Sequence, residues 1–425
     1  MVENLDYIDL KYRPSKNDVI VEFFIEPNKI TLEKACQHVA AESSIGTWTT
    51  ISTMTPEIAR KLKPHVFSIN KNSGEVKIAY PQDLFEQGNM SNIFSSIGGN
   101  IFGMSSVNNI RLQDMQLTKK LIKSFQGPRF GVNGVRKITR IKKRPLVGTI
   151  VKPKVGLSPE QHAKVAYAAW MGGCDVVKDD ENLASMTFNK FEDRIRTTLD
   201  LRDKAEKETG EKKIYMPNIS AETATMVKRA EFVKAYGGEY IMVDILTVGW
   251  SALQSIRDME HEMVIHAHRA GHAAFTRNPK HGISMLTIAK AARLCGVDQL
   301  HIGAIVGKME GSAEEVVSMG EEIEQQLVHP KKSAHMLEQE WYNVKPVLAV
   351  CSGGLHPGRV DKLMKYMGNN IVIQMGGGIH GHPDGTVAGA AAARQSVEAI
   401  MKRKSLRDYA KTHIELYKAL AKWGN

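Results

Sequence analysis

An α/β fold is predicted, a C-terminal (β/α)8 barrel with an N-terminal α+β sandwich domain, and three observations predict it. Eight short apolar runs recur after residue 145, each followed by a stretch with helical spacing of its apolar residues. The segment carrying them is about 280 residues long, the size such a barrel requires. Its helical stretches end on glycine, the residue that closes helices in the left-handed conformation. The expected domains are residues 1–135 and 136–425.

In the first domain, "DVIVEFFIEP" (18–27) reads as a strand. "TLEKACQHVAAESS" (31–44) reads as a helix, with Thr31 as N-cap and Glu33 at the positive end of the helix dipole. Lys34 stands where a capping box would place Glu or Gln, so that device is absent. "GTWTTIST" (46–53) is β-branched and aromatic, hence a strand, and "VKIAYP" (76–81) is another. The barrel strands are "LVGTIVK" (146–152), "CDVVKDD" (174–180), "IYMPNIS" (214–220) and "YIMVDIL" (240–246). They continue with "EMVIHAH" (262–268), "QLHIGA" (299–304), "VLAVCS" (347–352) and "NIVIQMG" (370–376). Between them lie helices such as "SPEQHAKVAYAAWMGG" and "ISMLTIAKAARLCG".

Composition narrows the class. With 57 Lys+Arg against 46 Asp+Glu the net charge is +11, which favours anionic partners. The densest basic cluster, "RKITRIKKRP" (136–145), has no nucleic-acid-binding motif beside it, so a phosphorylated small molecule is expected rather than nucleic acid. No apolar run approaches the roughly 20 residues that cross a bilayer, and "MVENLDYIDL" is no signal peptide. A cytoplasmic protein without a membrane partner is expected. The cysteines Cys36, Cys174, Cys295 and Cys351 form no C-x-x-C pair and read as buried free thiols.

Chemistry in such barrels collects at the C-terminal ends of the strands. Those ends carry Lys152 and Lys154, then Lys178, Asp180 and Glu181, then Asn218 and Asp244. His266, His268 and Arg269 follow, then His301, the run Ser352-Gly353-Gly354, and Gly376-Gly377-Gly378. A purely structural barrel has no reason to gather these residues at one rim. Lys178 and Asp180 share a strand face, and Glu181 can swing in beside them. Two carboxylates suit Mg²⁺, and a neutral lysine that takes up CO₂ becomes a carbamate, an anionic ligand; a plain ion pair is the alternative. "TIVKPKVG" turns two lysines toward one ligand or toward solvent. "HAHRAGH" supplies histidine for proton transfer and arginine for phosphate, with zinc as the rival. The glycine runs after the seventh and eighth strands suit phosphate, or plain turns. Lys308, in "GAIVGKMEG" between Gly307 and Gly311, has the composition of a closing lid, or of an exposed turn.

Together these stretches resemble one family, the large subunit of ribulose-1,5-bisphosphate carboxylase/oxygenase. "GGCDVVKDDEN" resembles its activation motif, and "KPKVGLS", "HAHRAGH", "GKMEG", "CSGGLHPG" and "MGGGIHGHP" resemble its other active-site segments in the same order. "AAESSIGTWTT" (40–50) and "GGNIFGM" (98–104) extend the resemblance to the first domain, and the whole looks most like the archaeal form III branch. The resemblance implies Mg²⁺-dependent carboxylation and oxygenation of ribulose 1,5-bisphosphate. Activator CO₂ would be held as a carbamate on Lys178, with Asp180 and Glu181 as further ligands. It implies Lys152, Lys178, His268 and Lys308 as catalytic residues, with Lys154 supporting Lys152. One substrate phosphate would meet Arg269, His301 and Ser352. The other would meet Gly354, Gly376, Gly377, Thr47 and Trp48, with Gly353 and Gln374 also on the substrate. Glu42 would position Lys308, and Asn100 would contact substrate. Because Glu42, Thr47, Trp48 and Asn100 come from the neighbouring subunit in this family, a homodimer with shared sites is implied, alone or in an assembly of dimers, without a small subunit. Ile150, Ile45, Gly271, Ile379 and His380 depart from residues usual in plant-type relatives. The rival reading is a related enolase or isomerase of a sugar phosphate that fixes no CO₂.

Overall fold

A computed structural model describes residues 5–259, 261–305 and 313–424. In chain order the strands are β1 (Asp18–Pro27), β2 (His65–Ile69), β3 (Glu75–Pro81), β4 (Val107–Gln116) and β5 (Leu146–Ile150). Next come β6 (Val176–Lys178), β7 (Ile214–Met216), β8 (Tyr240–Asp244), β9 (Val264–His268) and β10 (Gly282–Ile283). The last are β11 (Gln299–His301), β12 (Leu327–Val328), β13 (Gln339–Glu340), β14 (Leu348–Ser352) and β15 (Ile371–Gln374). The chain forms two compact units. The first comprises residues up to Gln126 together with Gly271–Cys295 and Gln325–Val344; the second is the remainder.

The first unit is built on a five-stranded sheet in the order β10-β4-β1-β3-β2. β1 is its spine, antiparallel to β3 and to β4, with a register shift at Glu22/Phe23. Phe23, Ile25, Val76 and Ile78 are buried. The helix Leu32–Glu42 starts as expected, with the Thr31 hydroxyl accepting from Lys34 N. Residues 46–53, expected as a strand, form a loop instead. β-branched composition yields a strand only where a neighbour offers a ladder, and none does among the described residues. Gly46 N donates back to Ala41 O at 3.0 Å, which keeps the chain coiled at the helix end. The polar "VNNIRLQDMQ" of β4 went unread as a strand because its apolar residues are sparse. The helix Met285–Leu294 lies between two barrel strands in sequence yet clusters with the first unit. There Lys290 Nζ reaches Asp114 at 2.8 Å, with both side chains fully buried.

The second unit contains all eight expected barrel strands, in the order β7-β6-β5-β15-β14-β11-β9-β8. Each pairing is parallel. Between β7 and β8 the ring is completed by Ile219 N donating to Met242 O and Met242 N to Pro217 O, at 3.0 and 2.8 Å. The strand beginnings fill the lower interior with Leu146, Val176, Ile214, Tyr240, Val264, Leu348 and Val372. Val132 and Val135 of the helix Gly131–Thr139 join that layer. Apolar packing is thus spent at the N-terminal end, and the opposite rim is free to carry polar groups. The four cysteines are buried and none forms a disulfide, as expected.

Candidate active site

The register sets the centre of the rim. Lys178 pairs with Ile150 on one side and Met216 on the other. Alternation puts Lys178 and Asp180 on one face and Asp179 on the other. Lys178 is 1 % exposed, and its Nζ donates to Asp179 O at 2.7 Å, touches Met242 Sδ at 3.3 Å and lies 3.7 Å from Glu181 Oε2. Burial lowers its pKa, and Glu181, Asp180, Asp244 and Asp179 pull the other way without restoring it. Asp180 Oδ2 accepts from Lys152 Nζ at 2.7 Å, and Glu181 Oε1 lies 3.5 Å from Lys154 Nζ. Burial acts to raise the Glu181 pKa, but Lys178, His268, its own backbone N–H and Lys154 outweigh it and bring the carboxyl to about 2.

Histidines complete the arc. His268 Nε2 is 3.7 Å from Glu181 Oε2, and its Nδ1 is 3.1 Å from Asp244 Oδ1, which fixes the ring. His301 Nδ1 lies 2.8 Å from Ser352 Oγ, and its Nε2 lies 2.9 Å from His266 Nε2. His266 Nδ1 meets Gln299 Oε1 at 2.7 Å. Burial drives His266 down to about 3 and His301 well below its ordinary value, so this histidine pair is neutral at physiological pH. Arg269 is lowered to about 10 by burial, and its Nη2 lies only 2.7 Å from where a Cβ on Gly303 would stand, so Gly303 makes room for it. Gly353 and Gly354 both have positive φ, at 111° and 71°, which turns the chain sharply after β14. Gln374, at the end of β15, is 1 % exposed and neither amide atom has a hydrogen-bond partner among the described residues.

Lys152, Lys154, Lys178, Asp180, Glu181 and His268 therefore converge, and His301 and Ser352 form a second group with the His268 ring 4.7 Å from that of His301. Glu42, Thr47, Trp48 and Asn100 belong to the first unit. There Asn100 Nδ2 donates to Glu42 Oε1 at 3.1 Å, and Trp48 is 92 % exposed. Lys308 lies outside the described residues. Asp244, which holds the His268 ring, stood in the strand-end inventory without a role. Asp179 was without one too; it anchors the outer face. Tyr215 and Asn218 N donate to its oxygens at 2.6 and 3.0 Å, and Arg194 Nε does so at 3.1 Å.

The donor set suits a hard cation. Asp180 and Glu181 offer carboxylate oxygens, and each is neutralised by a lysine that an ion would displace. Among the described residues no group of three or more His, Cys, Asp or Glu side chains is arranged to hold a metal.

A parallel barrel with lysines, carboxylates and histidines at one rim defines an enzyme of acid–base chemistry on an anionic substrate. Residues 131–423 match the family model "Ribulose bisphosphate carboxylase large chain, catalytic domain", and residues 6–121 match the N-terminal domain of the same chain. The chain therefore belongs to the ribulose bisphosphate carboxylase large-chain family, and it is an enzyme of that carboxylase class. It is 51% identical to the ribulose bisphosphate carboxylase of Methanocaldococcus jannaschii, over 99% of this chain and 100% of the relative. Identity to that of Methanosarcina mazei is 50%, over 98% and 99%. The dimeric archaeal Rubisco of Hyperthermus butylicus superposes with a TM-score of 0.93 at 46% identity, covering 98% of each chain. The octameric enzyme of Pyrococcus horikoshii gives 0.92 at 44%, covering 100% of this chain and 99% of that one. No helix among the described residues is long and apolar enough to cross a membrane.

Proposed function

We propose that this chain carboxylates, and also oxygenates, ribulose 1,5-bisphosphate at a Mg²⁺ site whose third protein ligand is a carbamate on Lys178. The observation that carries this reading is the Lys178 amine, buried within reach of Glu181 and held toward its neutral form. A neutral amine adds CO₂; an ammonium does not. Deprotonation from a reference near 10.4 costs about 4 kcal/mol around pH 7 to 8, and burial supplies part of it. Asp180 and Glu181 complete the protein's share of the site. Bound Mg²⁺ would polarise the substrate oxygens and stabilise negative charge developing on them.

The chain's own groups handle protons and phosphates. As a carbamate, Lys178 would take the substrate proton whose loss forms the enediolate. His268, oriented by Asp244, serves the later proton transfers and hydration. Lys308 steadies the carboxylate formed from CO₂, positioned by Glu42. Lys152 protonates the final carbanion, and Lys154 supports it. Arg269, His301 and Ser352 receive one phosphate; Gly353, Gly354, Gly376, Gly377 and Gln374 receive the other end of the substrate, with Thr47, Trp48 and Asn100 from a second subunit. The active unit is then a homodimer, and the resemblance to archaeal enzymes points to ribulose bisphosphate derived from nucleotides.

The test is incubation of purified protein with ribulose 1,5-bisphosphate, Mg²⁺ and labelled CO₂. Label in 3-phosphoglycerate that disappears on chelation supports the reading. Enolisation without label would leave the non-fixing isomerase instead.

A further inference from the structure

One rim residue has no part in the proposed chemistry, yet it ties two of its segments together. His380 closes the short helix Gly377–His380 that follows β15. Its Nε2 lies 2.9 Å from the Ile150 carbonyl oxygen and 2.9 Å from Thr149 Oγ1, and its Nδ1 lies 3.0 Å from Thr386 Oγ1. A carbonyl oxygen only accepts, so Nε2 carries the proton and bare Nδ1 accepts from Thr386. Thr149 donates its own hydroxyl to Met375 O at 2.7 Å, which leaves its oxygen free to share the Nε2–H. One neutral tautomer satisfies every bond, and burial, which lowers the pKa to about 4, keeps it neutral.

All of these contacts end on two stretches. One is residues 149–150, immediately before the strand end that bears Lys152. The other runs from Met375 to Thr386 and contains Gly376 and Gly377. The Lys152 stem passes along that second stretch: its Cε lies 3.3 Å from the position of a Cβ on Gly376. His380 therefore clamps the strand end to the glycine-rich helix start between which the lysine emerges.

We propose that His380 is a positioning residue for Lys152, holding the end of β5 against the Gly376–Gly378 helix start so that the lysine amine meets the final carbanion in line for proton transfer. The inference rests on Lys152 being that proton donor. The carbanion itself supplies the readout. It sits on the carbon next to the one bearing the phosphate ester. If Lys152 protonates it, a C–H bond forms and 3-phosphoglycerate leaves. If protonation is late, the electron pair forms a C=C bond, the adjacent C–O bond breaks, and inorganic phosphate departs. The resulting enol of pyruvate then ketonises with a proton from water.

The experiment compares full-length wild type with His380→Leu, His380→Gln and Thr386→Val. Each receives ribulose 1,5-bisphosphate, Mg²⁺ and labelled CO₂, and labelled pyruvate and 3-phosphoglycerate are quantified together with kcat and KM. A misplacement of this kind should raise the pyruvate fraction of His380→Leu roughly tenfold and lower kcat by a similar factor, with KM little changed. His380→Gln, whose amide N–H still reaches Ile150 O, should stay near wild type. A folded His380→Leu enzyme with the wild-type pyruvate fraction overturns the proposal, even if its kcat falls. Should that variant fail to fold, Thr386→Val decides, since loss of the partner of Nδ1 should raise the pyruvate fraction and an unchanged fraction overturns the proposal. Absence of labelled product from the wild type would sink the underlying reading instead.

Discussion

Asp179 and Asp180 are adjacent, both buried, and face opposite worlds. Asp180 looks to the rim and Lys152. Asp179 looks outward, where burial would raise its pKa but Arg194, His162 and Tyr215 hold it well below the carboxylate range. Asp179→Asn should cost about 3–5 kcal/mol in chemical denaturation, because Arg194, itself fully buried, would keep a charge without its partner. Lys178→Met is a different case: a buried amine becomes a thioether of similar volume, next to Met242. The unfolding midpoint should hold or rise while labelled CO₂ fixation falls below detection; retained fixation would remove the carbamate from the mechanism. In the first unit His335 Nδ1 lies 2.8 Å from Glu22 Oε1. The bond to Glu22 raises the His335 pKa above 6.5, so its contribution is complete below that pH and fades as pH rises through the folded value. Burial opposes but His335 and Lys77 lower Glu22, whose share holds above 4.5 and fades as pH falls through its folded value. His335→Gln should flatten the loss of thermal stability above pH 6.5, by no more than about 1 kcal/mol since the ring is one-third exposed.

At the scale of elements, the helix Pro159–Met171 begins with a full capping box. Ser158 accepts from Gln161 N, the Gln161 side chain accepts from Ser158 N, and Pro159 sits at the first helical position. This helix carries His162 to within 3.1 Å of Asp179 Oδ1, so its start also sets the outer support of the rim. Ser158→Ala should lower stability by about 1 kcal/mol, read from denaturant midpoints, and leave KM unchanged. Both helix starts and strand runs are short-range features, which is why they were legible. The loop at 46–53 was misread because its composition alone cannot reveal whether a ladder partner exists.

At the scale of the molecule, relatives of this chain include a dimeric and an octameric archaeal enzyme. The Thr47 and Trp48 loop, with Trp48 almost wholly exposed, carries residues proposed to serve a second subunit. Mixing Glu42→Gln with Lys178→Ala subunits should restore part of the CO₂ fixation that each variant lacks alone, because one of the two sites in a mixed dimer keeps both intact residues. Well-formed mixed dimers without activity would argue against shared sites.

By itself the sequence determined the eight strands, their helices and the chemical inventory at one rim, since apolar period, caps and glycines act over a few residues. It also carried the family resemblance, through motifs that are each short and contiguous in the chain. Only the tertiary structure decided which partner each group meets. Strand β10 joins β4 across more than 160 residues, Lys290 finds Asp114, and His380 returns to Ile150 across 230. Those pairings depend on which surfaces the folded chain brings together, and no local pattern records them. The same holds for Lys178: its place on the rim was legible, but the burial that favours its neutral amine is a property of the closed barrel.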